Sequence, residues 1–382
     1  EPGMVSALGY YDFRFGATGI EAVHDEWLRS GAGRTTWQIA RDDLLHRPEV
    51  GGDIRTTLDL TLQRALYEAL TPYQGAAIIA EAGSGDVLAL VSVPSYDPAL
   101  LDELVSAADA DEDAFSDDRL VNRAVNAYYQ PGGALQTLLM STLLAAGLTP
   151  DTPTTTQAIP LAGQPILLSC PRPAPHDTDL SSAYRAGCPA PFLAALGDVF
   201  TPARLDNAFE AAGLWETPRL AGFRVDTNPP ERVPMPADRL DLTAEVAGQG
   251  AIVVSPLHMA QLIGAVVNDG QAPALRLVDA RRATPSADWE PLPASSAQTA
   301  IMQPDVAQQL RAILRAEALL DDPTLYGHLS RGYAGEQALV WLLGWAPQPD
   351  GRNLIMVLVL ETPPEGLHTA LDVARAALQA VD

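Results

Sequence analysis

A chain of 382 residues, 47% apolar and 19% charged, is long enough for one large core or two ordinary domains and too apolar to be disordered. Its net charge of −24 argues against nucleic acid or anionic lipid as a partner. All 24 basic residues are arginine, so chemistries that need a lysine amine (a Schiff base, a P-loop, a Ser-x-x-Lys pair) are closed to it.

Residues 1–50, punctuated by Gly16, Gly19, Gly31 and Gly33, read as an N-terminal arm. Leu62, Ala65, Leu66, Ala69 and Leu70 then recur at helical spacing behind Asp59 as a cap, and Pro72 ends the helix. The runs 76–80 and 87–92, joined by Gly83-Ser84-Gly85, predict a β-hairpin. The acidic stretch 102–118, with Asp109, Asp111, Glu112, Asp113, Asp117 and Asp118, reads as a solvated loop. The segment 134–146 is apolar nearly all round and stops at Gly147, which predicts a helix buried in the middle of the protein. Cys170 and Cys188 flank a Pro-rich loop; they are either a disulfide or two separate buried thiols.

Shorter helices are expected at 192–197, 203–212, 257–268 and 305–319, and irregular chain at 223–240. Strands at 338–345 and 353–360 and a helix at 367–380 close the chain. Strands near both ends with helices between predict one α+β sheet completed by both ends of the chain, not a βαβ dinucleotide fold. Gly248-Gln249-Gly250 is accordingly no dinucleotide loop. No apolar run reaches the roughly 18 residues that span a bilayer. The six His are scattered, and no spacing predicts a metal site. The chain opens at Glu1, and an upstream segment, with any membrane anchor in it, is expected to precede it.

Several segments, taken in order, resemble the transpeptidase domain of class B penicillin-binding proteins. Gly16-Ala17-Thr18-Gly19-Ile20-Glu21 is similar to the Gly-x-x-Gly-(Leu/Ile)-Glu element of their N-terminal region. Thr57-Leu58-Asp59-Leu60-Thr61-Leu62-Gln63 resembles the family's entry to its first helix, and Gly85-Asp86-Val87-Leu88-Ala89 with Pro94-Ser95-Tyr96-Asp97-Pro98 its hairpin and exit. Asn122-Arg123-Ala124, Gly248-Gln249-Gly250 followed by Ser255-Pro256-Leu257-His258-Met259-Ala260, and the strand from Trp341 to Pro347 continue the likeness. It covers essentially the whole chain. It implies an α+β fold with an antiparallel sheet flanked by helices and an inserted all-helical subdomain. Residues 1–50 would be the arm and 51–382 the transpeptidase-like domain.

The three motifs that carry the family's chemistry do not match. Where the family has Pro-Gly-Ser-x-x-Lys, this chain reads Pro131-Gly132-Gly133-Ala134-Leu135-Gln136. On a helix, residues three apart stand side by side, so the lysine can take the serine's proton. Here Gly133 has no side chain and Gln136 is an amide that takes no proton near neutrality. Gly187 and Pro189 stand where the resemblance implies Ser-x-Asn. Lys-Thr-Gly has two arguable counterparts, Arg331-Gly332-Tyr333 or Ser330-Arg331-Gly332. Arg331 could anchor a carboxylate, and Tyr333 would narrow the groove. Thr137 and Ser141 are the hydroxyls available for a rewired nucleophile, and bonding back to helix carbonyls is their ordinary role.

These residues predict a catalytically inactive scaffold or regulator of peptidoglycan synthesis, in the cell envelope outside the cytoplasmic membrane and held there by an N-terminal anchor. Its expected partners are cell-wall synthesis or division proteins, with no cofactor and no nucleic acid. The alternatives are non-covalent binding of a peptidoglycan stem peptide in the old cleft, and an active transpeptidase with a displaced nucleophile.

Overall fold

Asp59 caps the first helix of the domain: its carboxylate accepts the backbone N–H groups of Thr61 (2.9 Å) and Leu62 (3.0 Å). The computed structural model describes residues 2–30, 37, 40–41, 44–46, 51–109, 118–161, 166–293, 298–320, 324–361, 363 and 366–381. In chain order, helix α1 (Leu60–Leu70) is followed by strands β1 (Gln74–Glu81) and β2 (Val87–Val93). Helices α2 (Gln136–Ala145), α3 (Leu180–Arg185), α4 (Pro256–Val267) and α5 (Pro304–Arg315) come next. Strands β3 (Tyr326–Ala334), β4 (Gln337–Pro347) and β5 (Asn353–Glu361) then lead to helix α6 (Leu367–Leu378).

The five strands form one antiparallel sheet in the order β3-β4-β5-β1-β2. The early hairpin therefore docks beside the last strand, with Ile79 opposite Met356, and both ends of the chain complete the sheet as the pattern predicts. Side chains alternate between its faces. Ala77, Ile79, Leu342, Met356 and Leu358 pack under α1 and α6, whereas Ile78, Trp341, Leu343, Val357 and Val359 join the core that contains α4. With both faces covered no position needs to be polar, which is why 354–360 is an unbroken apolar run. Each such large side chain contributes about 1.5–3 kcal/mol by leaving water. β3 is an edge strand, and its open side faces the turn that leads into α2.

Helix α2 has no polar face and begins with a single 3-10 turn, Gly132–Leu135. The insert between β2 and β3 holds helices joined by long irregular stretches and is not all-helical, since it also carries short antiparallel pairs, Ile159–Pro160 with Leu167–Leu168 and Gln271–Ala272 with Thr299–Ala300. Leu101–Asp109 is a helix rather than a loop. Asp97 caps a 3-10 turn that leads into it, Asp102 and Glu103 favour its positive N-terminal end, and Leu101 and Leu104 are buried one turn apart. Residues 110–117, which hold Asp111, Glu112, Asp113 and Asp117 of the expected acidic loop, lie outside the described residues. In the arm, Gly19–Ser30 is a helix, and Arg281 stacks over its Trp27 at 4.3 Å.

Candidate functional site

Three backbone segments meet at the start of α2. The Gly132 N–H donates to the Gly248 carbonyl at 2.8 Å. Gly132 has φ of +50°, and a Cβ there would lie 2.3 Å from Gly332 Cα. Only glycine permits both the backbone angle and the approach. The Gly-Gln-Gly segment, the turn and the edge strand are thus in direct backbone contact.

Beside them, a Cβ on Gly133 would fall 2.7 Å from Ser330 Cβ and 3.3 Å from Ser330 Oγ. A side chain at 133 has no room, because Ser330 already fills the space. Alternation along β3 turns His328, Ser330 and Gly332 towards the turn and Leu329 and Arg331 away from it. The residue of this strand that faces Gly133 is therefore Ser330, not Arg331, and the second of the two registers brings its first residue to the cleft. Arg331 is exposed at the mouth, with Tyr333 half-buried beside it. Gly332 lies against the Gln130 carbonyl, 3.0 Å from the place its Cβ would take.

Gln136 points its amide across the floor, Nε2 donating to the Gly187 carbonyl at 3.3 Å. Its Oε1 and Ser330 Oγ are both buried with no hydrogen-bond partner among the described residues. Gly187 adopts φ of +75°, and a Cβ on it would meet Pro171 Cγ at 2.7 Å. Pro171 thus occupies the volume that a side chain at 187 would need. Cys170 and Cys188 form a disulfide, which settles the pair's two alternatives and brings Pro171 to this place. Pro189 precedes the short helix Ala190–Ala194 and is buried. The space left among Gly132, Gly133, Gln136, Pro171 and Gly187 is about 20 Å³ for the centre of a water-sized sphere. That volume holds about one water molecule.

The floor is held by rings. His328 Nε2 lies 3.0 Å from the Gly133 carbonyl, and Tyr184 stacks on the imidazole with centroids 4.5 Å apart. Burial pushes His328 down to about 3, so the ring is neutral and Nε2–H is the donor to Gly133. Tyr184 donates its hydroxyl to Thr137 Oγ1 at 2.9 Å. Ser141 bonds back to the Leu138 carbonyl at 2.7 Å, three residues earlier. All three hydroxyls of α2 are therefore engaged, Ser141 and Thr142 with the Leu138 carbonyl and Thr137 with a tyrosine instead of a helix carbonyl. No group of three or more His, Cys, Asp or Glu among the described residues could hold a metal ion.

Sequence reasoning brought Gly133, Gln136, Gly187 and β3 to one place and missed the residues that fill it. For Pro171 a signal existed: pairing Cys170 with Cys188 sets its neighbour beside Gly187.

The family model described as the penicillin binding protein transpeptidase domain matches residues 75–379. Peptidoglycan D,D-transpeptidase PbpA of Mycolicibacterium smegmatis is 30% identical over 297 residues, covering 71% of this chain and 57% of that protein. The chain spans little more than half the length of this curated relative. Peptidoglycan D,D-transpeptidase MrdA of Escherichia coli is 34% identical over 142 residues, 36% of this chain and 21% of that protein. The crystal structure of PBPA from Mycobacterium tuberculosis superposes with a TM-score of 0.84 at 22% identity, covering 99% of this chain and 92% of that one, and shows the same fold. The chain belongs to the penicillin-binding protein transpeptidase domain family.

Proposed function

We propose that this chain is a catalytically inactive member of its family that serves cell-wall synthesis as a scaffold or regulator. The observation that carries the reading is the filled cleft: Ser330 and Pro171 occupy the volumes that side chains at 133 and 187 would need. A serine hydrolase works as a unit of nucleophile, base and proton shuttle, and losing the nucleophile alone removes nearly all of its rate. Gly133 supplies no nucleophile, Gln136 supplies no base, and Ser330 Oγ is buried away from substrate. Thr137 and Ser141 are engaged in the core and do not replace the missing hydroxyl.

The setting follows from the family and the disulfide. A bridged cysteine pair fits an oxidising, extracytoplasmic compartment. The partners in this reading are cell-wall synthesis or division proteins, and an anchor outside this chain holds it to the membrane. No helix among the described residues is long and apolar enough to cross a membrane. The test is incubation with a fluorescent penicillin followed by a denaturing gel. No labelled band is expected, and a covalent band that unlabelled penicillin competes away overturns the reading.

A second reading has its own observation. Arg331 is exposed at the rim of the cleft, its guanidinium leaning towards Gly366, and forms no ion pair with a described residue, so it is available to the carboxylate of a peptide that reaches over the rim. Under this reading a peptide ending in D-Ala-D-Ala binds without reacting, and Arg331→Ala weakens it about 10- to 100-fold. The scaffold reading expects no saturable binding by either protein.

A further inference from the structure

The disulfide ties a covering segment to the cleft floor. Cys188 sits between Gly187 and Pro189 and is fully buried, whereas its partner Cys170 is half-buried on the strap of residues 167–175. Three members of that strap, Leu168, Ser169 and Pro171, line what remains of the cleft. We propose that the strap is a removable plug and the Cys170–Cys188 bond its latch, so that reduction by a dithiol uncovers the old site. This regulatory role rests on the inactive-domain reading, since it concerns access to a cleft that does no covalent chemistry of its own.

At its start the strap is anchored, since Leu167–Leu168 pair with Ile159–Pro160 and Leu168 is buried with the core that contains α4; beyond that, and apart from the latch, residues 169–175 have few attachments. The Arg172 N–H donates to the Ala186 carbonyl at 3.2 Å, and its guanidinium donates to the Arg185 carbonyl at 3.2 and 2.5 Å. Its approach to Glu317, at 3.9 Å with a carboxylate 58% exposed, adds little. Cys170 and Ala174 pack on a small cluster of Ala183, Ala186 and Cys188 that is separate from the two large cores. Pro171, Pro173 and Pro175 have no N–H to donate. Segments with few buried contacts and few backbone bonds open at far lower cost than the core. Closing a loop with a sequence separation of 18 by a covalent bond favours the closed strap by about a hundredfold.

The chemistry balances with a dithiol as the reductant. Its thiolate attacks the Sγ of Cys170, the less buried of the two residues; the S–S bond breaks, and Cys188 leaves as a thiolate that takes up a proton. The second thiol of the reductant then attacks the mixed disulfide and releases Cys170 as a thiol. Two electrons pass to the protein, and the reductant becomes its own disulfide. With the strap free, Gln136 Oε1 and Ser330 Oγ, which have no partner in the closed form, become reachable beside Arg331.

Hydrogen–deuterium exchange of the full chain, oxidised and after dithiothreitol, tests this. A thiol assay should count two free thiols after reduction. Peptides covering 131–137, 166–175 and 186–190 should then exchange at least tenfold faster, and those of β1 and β5 should be unchanged. In the oxidised protein, Pro171→Gly should speed exchange at 131–137 alone, because it removes the plug and keeps the latch. The proposal is overturned if the disulfide resists dithiothreitol, if exchange at 131–137 does not change, or if β1 and β5 loosen equally, which would make the bond a staple of the whole fold. A penicillin adduct in either redox state would overturn the inactive-domain reading instead, without touching the exchange result.

Discussion

The sheet core and the cleft share strands β3 and β4, yet they are packed by opposite means. Across β4 and β5 the positions that face α4 carry large apolar side chains, such as Trp341, Leu343 or Val357. At the cleft, by contrast, glycines bring backbone against backbone, and Ser330 and Pro171 stand in the places that side chains at 133 and 187 would need. Stability and the cleft are thus carried by separate parts of this fold. A site can lose its reactive groups without harm if the vacated volume is refilled, because an empty cavity costs about 24 cal/mol per Å³. Ser330 and Pro171 do the refilling here.

The comparison can be broken from either side. The largest effect belongs to the sheet: Trp341→Ala, at a fully buried position, should cost about 3–5 kcal/mol in denaturant unfolding. A loss under 1 kcal/mol would mean that the sheet is not where stability resides. At the cleft, Gly133→Ser restores a hydroxyl where the family's pattern has one and should cost about 1–3 kcal/mol, because its Cβ meets Ser330 Cβ. Adding Ser330→Gly should recover most of that loss, and failure to do so would show that something other than Ser330 fills the space. Neither variant should regain acylation, since Gln136 still cannot act as a base.

The remaining test is in pH. His328 at the cleft and His258 at the start of α4 are both buried, and burial lowers them to about 3 and about 4, against about 6.5 in an unfolded chain. Their unprotonated state is the folded one, so their contribution is intact above pH 6.5 and is lost as pH falls towards those values. Each histidine should lower stability by on the order of 1 kcal/mol for each pH unit within that window. Replacing His328 by Gln should flatten its share of the slope in urea melts between pH 6.5 and 4.5, and an unaltered slope would remove His328 from the account.

Much of the scaffold is legible in the sequence because its causes are local or repetitive. Leucines four residues apart behind Asp59 define α1, and unbroken apolar runs mark β4 and β5 as strands with both faces buried. That Gly133, Gln136 and Gly187 lie close together was equally readable, since they sit at fixed offsets from recognisable neighbours. The register of β3 was not. A slip of one residue exchanges the faces of a strand, and His328 and Ser330 on its buried side gave no apolar alternation to fix it. The plug was hidden for a different reason: Pro171 fills the volume beside Gly187 through a contact made across a disulfide, which no periodicity encodes. The helix at 101–109 was obscured by acidic residues that suit a first turn as well as a loop.

The claim at the centre of this account is that the cleft forms no acyl-enzyme. Intact-protein mass spectrometry after prolonged exposure to excess penicillin, on both the oxidised and the reduced chain, tests it most directly. The expected result is the unmodified mass of 40.5 kDa in both states. A stoichiometric gain of one penicilloyl group, mapped to any residue, would contradict it.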